Sequence, residues 1–585
     1  MRLSLTALSL LGLVVGIVTG FGALLFRDLI GLVHNLLFLG QLDVHYDANV
    51  FTPASPWGPL VILVPVVGAV AVTFLTTTFA PEAQGHGVPE VMDAIYYGRG
   101  VIRPIVAVVK SLASAIAIGS GAAVGREGPI IQIGSALGST LGTLLRMSPG
   151  QRIILVASGA GAGIAATFNT PIGGVLFAIE LMLPEVSAST FLPVALATGT
   201  ATFIGRFFFG DHPAFTAPPM VPLSVHASSA LTLCLYGVLG VLVGVAAALF
   251  VRALHLVEDL FERIGQRYLR HMLGMLLVGC LIYALLVRFG HYFVEGVGYA
   301  TVQAILRGQI VAASLMGLLF ICKLFATTVS LGSGSSGGVF SPSLFMGATI
   351  GGAFGALLRA LHLPLTFDVA SFAMVGMGAM VGGGTGAAMT AVAMIFEMTR
   401  DYEIVLPMII AVALSIGVRR LLSPENIYTL KLFRRGHRVP KARQANMFLI
   451  QHARDVMDRD VVLAAADASV AEFLSQPQHR GRIRHVVVSD QQRILGVVRV
   501  NTALRQVSEG APAPITMRDI ASPHFIVVSE QQILVDVIRS TWSADAFMAV
   551  VVRSGSAGLA QDVVGIISKE HVADSVAASV ALYAS

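Results

Sequence analysis

Gly125-Arg126-Glu127-Gly128-Pro129 places a carboxylate in a glycine-rich break between apolar stretches at residues 105–124 and 130–145. An ionisable side chain at such a depth costs several kcal/mol by most scales, about 3 or more, so it marks function rather than packing. The break matters as much as the charge. Its glycines free backbone amides, and the pattern predicts a helix starting at Pro129. Helix N-termini attract anions. A carboxylate set where an anion would bind can act as a plug.

Outward from this break, the chain reads as a membrane protein. Apolar residues are 55% of the 585 and charged residues 12%, and mean hydropathy is +0.79. At least nine windows between residues 3 and 418 stay apolar for about 18 residues, enough to span. The remainder from Gly436 to Ser585 has no such window and reads as a soluble tail. The segment at 3–25 has the length of a signal peptide, but its recurrence deep in the chain argues for a span. Cys234, Cys280 and Cys322 stand singly in apolar segments, as core cysteines do, and imply neither a metal site nor a disulfide framework.

The net charge of +5 is less informative than its placement. No Lys or Arg occurs from 28 to 98 or from 207 to 251, whereas Arg2, Arg99 and Arg103, the stretch 252–270 and the stretch 419–443 are basic. The positive-inside rule puts the N-terminus and the tail in the cytoplasm and the loops at 40–56 and 210–227 outside. A repeat is also legible. Gly16-xxx-Gly20-xxxxx-Phe26 recurs as Gly240-xxx-Gly244-xxxxx-Phe250, and Leu37-Phe38 as Leu260-Phe261. Gly125–Pro129 has its counterpart in Gly338-Val339-Phe340-Ser341-Pro342, and Phe177–Glu180 in Met394–Glu397. The first copy starts inside and the second outside. Such an inverted repeat, here about 1–210 and 228–430, puts its substrate site near the midplane between broken helices. The tail contains a tandem repeat of its own. Val470–Ser475 is followed by strands at 484–488 and 494–498, and 533–542 by strands at 549–552 and 563–567. The predicted boundaries are a membrane domain at 1–430, a linker at 431–450, and α/β units at 451–510 and 511–585.

Four breaks interrupt the apolar segments: Gly85-His86-Gly87-Val88-Pro89, Gly125–Pro129, the stretch 332–342, and the region of Tyr428 after Pro424. The first three join flexible backbone to a helix start. Exposed amides, hydroxyls and partial helix charges would hold an anion weakly enough to release it.

With these motifs in this order, the chain resembles the CLC family of chloride channels and chloride/proton antiporters with a cytoplasmic pair of CBS domains. The resemblance rests on GHGVPE, GREGP, Phe168-Asn169-Thr170-Pro171 followed by Ile179-Glu180, GGVFSP, Glu397-Met398-Thr399 and Tyr428. It implies an all-α polytopic fold with broken helices and an inverted repeat, an α/β CBS pair, a homodimer in the plasma (inner) membrane, and chloride or another small anion as cargo. It implies no nucleic-acid partner. It assigns Glu127 as the gate. The anion path would be lined by Gly85, His86 and Gly87, by the amides of Arg126, Glu127, Gly128, Val339 and Phe340, and by Tyr428, with Arg126 supporting its loop.

The chain departs from this family in several places. His86 replaces the usual serine, so an imidazole N–H stands where a hydroxyl would donate, with a charge change near pH 6.5 if it titrates normally; alternatively His86 points away and the glycine amides bind. Leu181 replaces a second glutamate that relays protons, and Glu180 reads as structural. Uncoupled anion movement by a channel or uniporter is therefore expected. Exchange through another acid, such as Glu180 or Glu90, is the alternative, and fluoride export a lesser one, because Pro129 is present. The short helix preceding the first span in many members is not evident. The CBS pair binds adenine nucleotide in many relatives. Here Gly496–Thr502 and Gly565-Ile566-Ile567-Ser568-Lys569-Glu570-His571 both lack the expected aspartate, leaving Gly565 and Ser568 as candidate contacts and no other cofactor. No His-Glu-x-x-His occurs, so a CBS-linked intramembrane metalloprotease is only a remote alternative, and no enzyme activity is expected.

Overall fold

The computed structural model describes residues 3–217, 227–362, 367–437, 439, 450–476, 485–499, 515–555 and 558–574. Arg2, Arg443, Arg484, Thr502, residues 440–449 of the expected linker, and 500–514 and 575–585 of the expected tail units lie outside the described residues. The chain divides into two compact units, Met1–Val439 and Pro440–Ser585.

The first unit is helical. Its first half runs α1 Leu5–His34, α2 Val64–Thr78, α3 Val88–Tyr96, α4 Ile105–Gly119, α5 Glu127–Leu144, α6 Pro149–Phe168, α7 Pro171–Phe177 and α8 Ala188–Phe209. Its second half runs α9 Ala227–Glu262, α10 Arg267–Phe289, α11 Tyr299–Leu306, α12 Ala313–Ser333, α13 Phe340–Ala360, α14 Val369–Thr385, α15 Ala388–Thr399 and α16 Val405–Leu422. A short α17, Thr429–Arg434, follows. Among the described residues, nine helices are long and apolar enough to cross a membrane. The halves correspond helix for helix, as an inverted repeat requires. α1 packs on α8 as α9 packs on α16, and α5 on α6 as α13 on α14.

Small residues permit these approaches. A Cβ on Gly16 would stand 2.4 Å from the Ala197 carbonyl oxygen, and one on Gly240 2.6 Å from that of Ala411. The repeated Gly-xxx-Gly seams thus mark equivalent helix contacts, where backbones meet without lipid between them. The halves also exchange caps. Glu180, in a π turn at Ala178–Met182 after α7, accepts from the Thr390 N–H (2.8 Å) and hydroxyl (2.7 Å) at the start of α15. Glu397, near the end of α15, accepts from the N–H groups of Ile172 (3.1 Å) and Gly173 (2.7 Å) at the start of α7. Each carboxylate meets a helix N-terminus of the other half, where negative charge is favoured. Cys322 is buried, but Cys234 and Cys280 are exposed on helix surfaces. They are not core cysteines as expected, because an apolar segment in a bilayer has an outward apolar face too.

The second unit holds two like sheets, β1 Val461–Ala465, β2 His485–Asp490 and β3 Arg493–Arg499, then β4 Phe525–Ser529, β5 Met548–Val552 and β6 Val563–Ser568. Each central strand pairs parallel with the strand before it and antiparallel with the one after. Short helices α18 Ala453–Val456, α19 Val470–Ser475, α20 Met517–Ile520 and α21 Leu534–Ser543 cover them. Val487, Ile494 and Val497 of one sheet share a core with Met548, Val550 and Ile566 of the other.

Candidate functional site

Three of the breaks meet inside the first unit. Gly125 N–H donates to Gly338 O at 2.7 Å, and Gly338 N–H returns the bond to Gly125 O at 2.6 Å. Gly337 N–H donates to Gly85 O at 3.2 Å, and Gly85 N–H to Ser335 O at 3.1 Å. The starts of α3, α5 and α13 are thereby fixed around one point. A Cβ on Gly128 would lie 2.2 Å from the His86 carbonyl oxygen and 3.0 Å from Gly338 Cα, so only glycine allows the approach. Two expectations change here. Helix α5 begins at Glu127, not at Pro129, which takes the third helical position, where its missing N–H costs no intrahelical bond. Gly85 is not a free anion donor, because its amide is committed to Ser335. Gly87 precedes α3 at φ +80°, and Val339 and Phe340 stand at the start of α13.

Glu127 is fully buried. The Tyr299 hydroxyl donates to its Oε1. The Ser341 hydroxyl donates to Oε1 at 2.5 Å and the Ser341 N–H to Oε2 at 3.2 Å. Ser341 is the second residue of α13, so the carboxylate sits on the N-terminus of that helix. It is bonded as a small inorganic anion would be: two hydroxyls, one orphan amide and, among the described residues, no direct cation.

Two groups of aromatic rings lie near these breaks. The Tyr299 ring lies 5.3 Å from that of Phe215 and 6.3 Å from that of Phe168, which lies 5.7 Å from Phe340. The Arg126 guanidinium stands 5.4 Å over the Tyr299 ring and braces it. In the other group, the rings of His86 and Tyr428 are 5.8 Å apart, both buried. Neither ring nitrogen of His86 has a hydrogen-bond partner among the described residues. A buried N–H without a partner is costly.

Two residues that sequence reasoning missed complete the arrangement. Lys110 Nζ donates to the carbonyls of Ala83 (2.9 Å) and Gly85 (2.7 Å). Lys323 Nζ donates to those of Val294 (2.9 Å) and Gly296 (2.8 Å). The two lysines are equivalent in the two halves, and each clamps the loop before a broken helix. Gly296-Val297-Gly298-Tyr299 is therefore the repeat of Gly85-His86-Gly87-Val88, with positive φ at all four glycines. This break supplies Tyr299. The shared Gly-x-Gly before a short apolar helix was the available signal.

Residues expected to begin the linker fold back on α3. Arg435 donates to Glu90 at 2.6 and 2.9 Å, and His437 meets Asp93 at 2.5 Å. Glu90 is thus ion-paired. Leu181 is buried and apolar, and the neighbouring Glu180 is held at the α15 cap. In the tail, Ser568 N–H donates to His571 Nδ1 at 3.1 Å, and His571 Nε2 is 3.6 Å from Asp458. The position expected to hold an aspartate therefore offers an imidazole already engaged within the chain. An imidazole lacks the two acceptor oxygens that a carboxylate would offer a ribose diol.

The chain matches the voltage gated chloride channel family over residues 68–420 and the CBS domain over 453–509. It is 34% identical over 368 residues to the H(+)/Cl(-) exchange transporter ClcA of Vibrio cholerae, covering 62% of this chain and 76% of that protein. It is 35% identical over 364 residues to a putative chloride channel protein ClcB-like of Ralstonia nicotianae, covering 61% and 82%. A solved structure of a slow cyanobacterial Cl-/H+ antiporter superposes with a TM-score of 0.62 at 26% identity, covering 74% of this chain and 99% of the other. The chain belongs to the voltage gated chloride channel (CLC) family: it is an integral membrane anion-transport protein with a C-terminal CBS region.

Proposed function

We propose that the protein exchanges chloride for protons across the membrane, with Glu127 carrying the proton. The observation that carries this reading is the bonding of Glu127 on the Ser341 amide, the Ser341 hydroxyl and the Tyr299 hydroxyl. A carboxylate there competes with an anion. Once protonated, it loses its hold on these donors and yields the site, so anion entry follows proton uptake. Aromatic closure on both sides suits stepwise exchange better than an open pore. Exchange is also what relatives such as the Vibrio cholerae protein are named for.

His86, Gly87, Tyr428 and the amides of Arg126, Gly128, Val339 and Phe340 form the remainder of the anion path on this reading. Arg126 itself braces Tyr299. The N-terminus and the CBS tail lie in the cytoplasm of a plasma-membrane homodimer, as the distribution of Lys and Arg and the family imply. The membrane domain extends from the predicted 1–430 to Val439, because α17 and the residues after it pack on α3, and the CBS units take 451–510 and 511–585.

A second reading, uncoupled chloride movement, draws on Leu181, which cannot hold a proton, and on Glu180, tied to Thr390. Liposomes separate the two. With voltage clamped by potassium and valinomycin, a chloride gradient should drive protons uphill, and Glu127→Gln should abolish that while keeping chloride flux. Chloride flux with no proton movement in the wild type would overturn exchange and leave the uncoupled reading.

A further inference from the structure

Glu127 is sealed from the face that carries the 40–56 loop by Tyr299, Phe215, Phe168 and Phe340. A proton needs a polar way through. A cavity of about 20 Å³ lies on that face, lined among others by Tyr46, Thr52, Tyr292, Glu295 and Gly298, and reached by the exposed Val50. That volume holds about one water. Gly298 lines it, and the next residue, Tyr299, donates to Glu127.

Glu295 is buried in this unit as Glu127 and Glu180 are, and neither anion binding nor capping uses it. Its Oε1 meets His34 Nδ1 at 3.2 Å and accepts from the Thr52 hydroxyl at 3.3 Å. Thr52 in turn lies 3.3 Å from His34 Nε2. A proton in this ring of contacts can sit on His34 or on Glu295. The titratable groups facing Glu295 are His34 from α1, Tyr46 from the loop, Tyr292 from its own segment and Lys323 from α12, with Asp47 and Arg126 acting at one remove through Tyr46.

Lys323 links the two carboxylates. It binds the carbonyls of Val294 and Gly296, on either side of Glu295, and its Nζ would lie 3.1 Å from a Cβ on Gly298, the residue before the Tyr299 that donates to Glu127. A buried cluster is stable only near zero net charge. Lys323 and the Arg126 guanidinium over Tyr299 are the cations of this cluster, so a charge gained on one carboxyl is opposed by a charge already on the other, and the two are coupled.

We propose that Glu295, with His34, is the proton-carrying station on the loop face and exchanges its proton with Glu127 across the shared Lys323. The step balances. An O–H bond on Glu295 breaks and one on Glu127 forms. The negative charge passes from Glu127 to Glu295, and Lys323 keeps its own. Glu295 then regains a proton from the loop-face solution through the cavity and His34. This role rests on the exchange reading, but the pairing of the two carboxyls does not.

The test uses full-length protein in liposomes with chloride and pH followed together. Glu295→Gln should keep chloride flux, which also shows that it is folded, while proton flux falls at least about tenfold, and Glu295→Asp should restore part of it. Unchanged coupled proton flux in Glu295→Gln would overturn the proposal. Should wild type move no protons, the exchange reading fails and the pairing is read from the pH profile of chloride flux. Glu295→Gln frees Lys323 to hold the ionised Glu127, so the activating midpoint should move about one unit to lower pH. An unmoved midpoint, or one that rises, would overturn the pairing. If Glu295→Gln does not fold, Lys323→Met in its place should move the midpoint upward, and no movement would count against the shared charge.

Discussion

Removing the Tyr299 hydroxyl tests the geometry of the gate with the least disturbance. Tyr299→Phe keeps the ring that packs on Phe215 and Phe168 and lies under Arg126. It deletes one of three donors to the Glu127 carboxylate. A hydrogen bond to a charged group contributes about 1.5–3 kcal/mol. One pH unit corresponds to about 1.36 kcal/mol. The ionised, blocking form should therefore lose stability worth roughly one to two pH units. Because the lost donor favoured the ionised form, protonation and release occur at higher pH. Chloride efflux from liposomes, measured from pH 4 to 9 with potassium and valinomycin, should reach half-maximum about one to two units above wild type. A midpoint that stays in place or moves down, in protein with unchanged maximal flux, would refute the reasoning.

Three further outcomes follow from the same structure. His86→Ser should change the order of anion preference measured by chloride, nitrate and fluoride efflux, because it replaces an unpartnered buried imidazole with a hydroxyl; an unchanged order would make His86 structural. ATP or AMP titrated onto the full-length protein in calorimetry should bind no tighter than roughly 10 μM, about −7 kcal/mol, because His571 stands where a ribose acceptor is needed. The third outcome is a pH-dependent loss of tail stability. Burial, then the nearby His571, holds the His485 imidazole below its ordinary value, with Asp458 opposing. The folded tail thus favours neutral His485, so this contribution is complete above about pH 6.5 and is lost as pH falls toward the depressed value. Proteolytic half-life of the tail should shorten from pH 7.5 to 5.5, and His485→Leu should flatten that dependence.

The meeting of the breaks was legible in the sequence for a physical reason. GREGP and GGVFSP combine glycines with a helix start, and few structures need both inside an apolar segment. Gly125 and Gly338 prove to be hydrogen-bonded partners. The third member of the constellation, Gly296–Tyr299, was hidden because it carries neither a proline nor a charge, and only its likeness to Gly85–Val88 could have exposed it. Lys110 and Lys323 were visible as charges in apolar helices, but their roles depend on carbonyls of loops at some distance along the chain. Strands β1 and β4 went unread because Val461–Ala465 and Phe525–Ser529 are short and alternate poorly. Pairing beside β2 and β5 makes them strands. Helix α17 was taken for linker because its basic residues look solvated, whereas Arg435 and His437 beyond it find Glu90 and Asp93 on α3.

The central claim is that the Glu127 carboxylate and the transported anion occupy one position. Anomalous diffraction from bromide-soaked crystals of wild type and Glu127→Gln tests it directly. The account predicts a bromide peak in Glu127→Gln within about 3.5 Å of the Ser341 amide and the Tyr299 hydroxyl, and no peak there in wild type at pH 9. Bromide at that position in wild type with the carboxylate still bonded to Ser341, or no bromide there in Glu127→Gln, would contradict it.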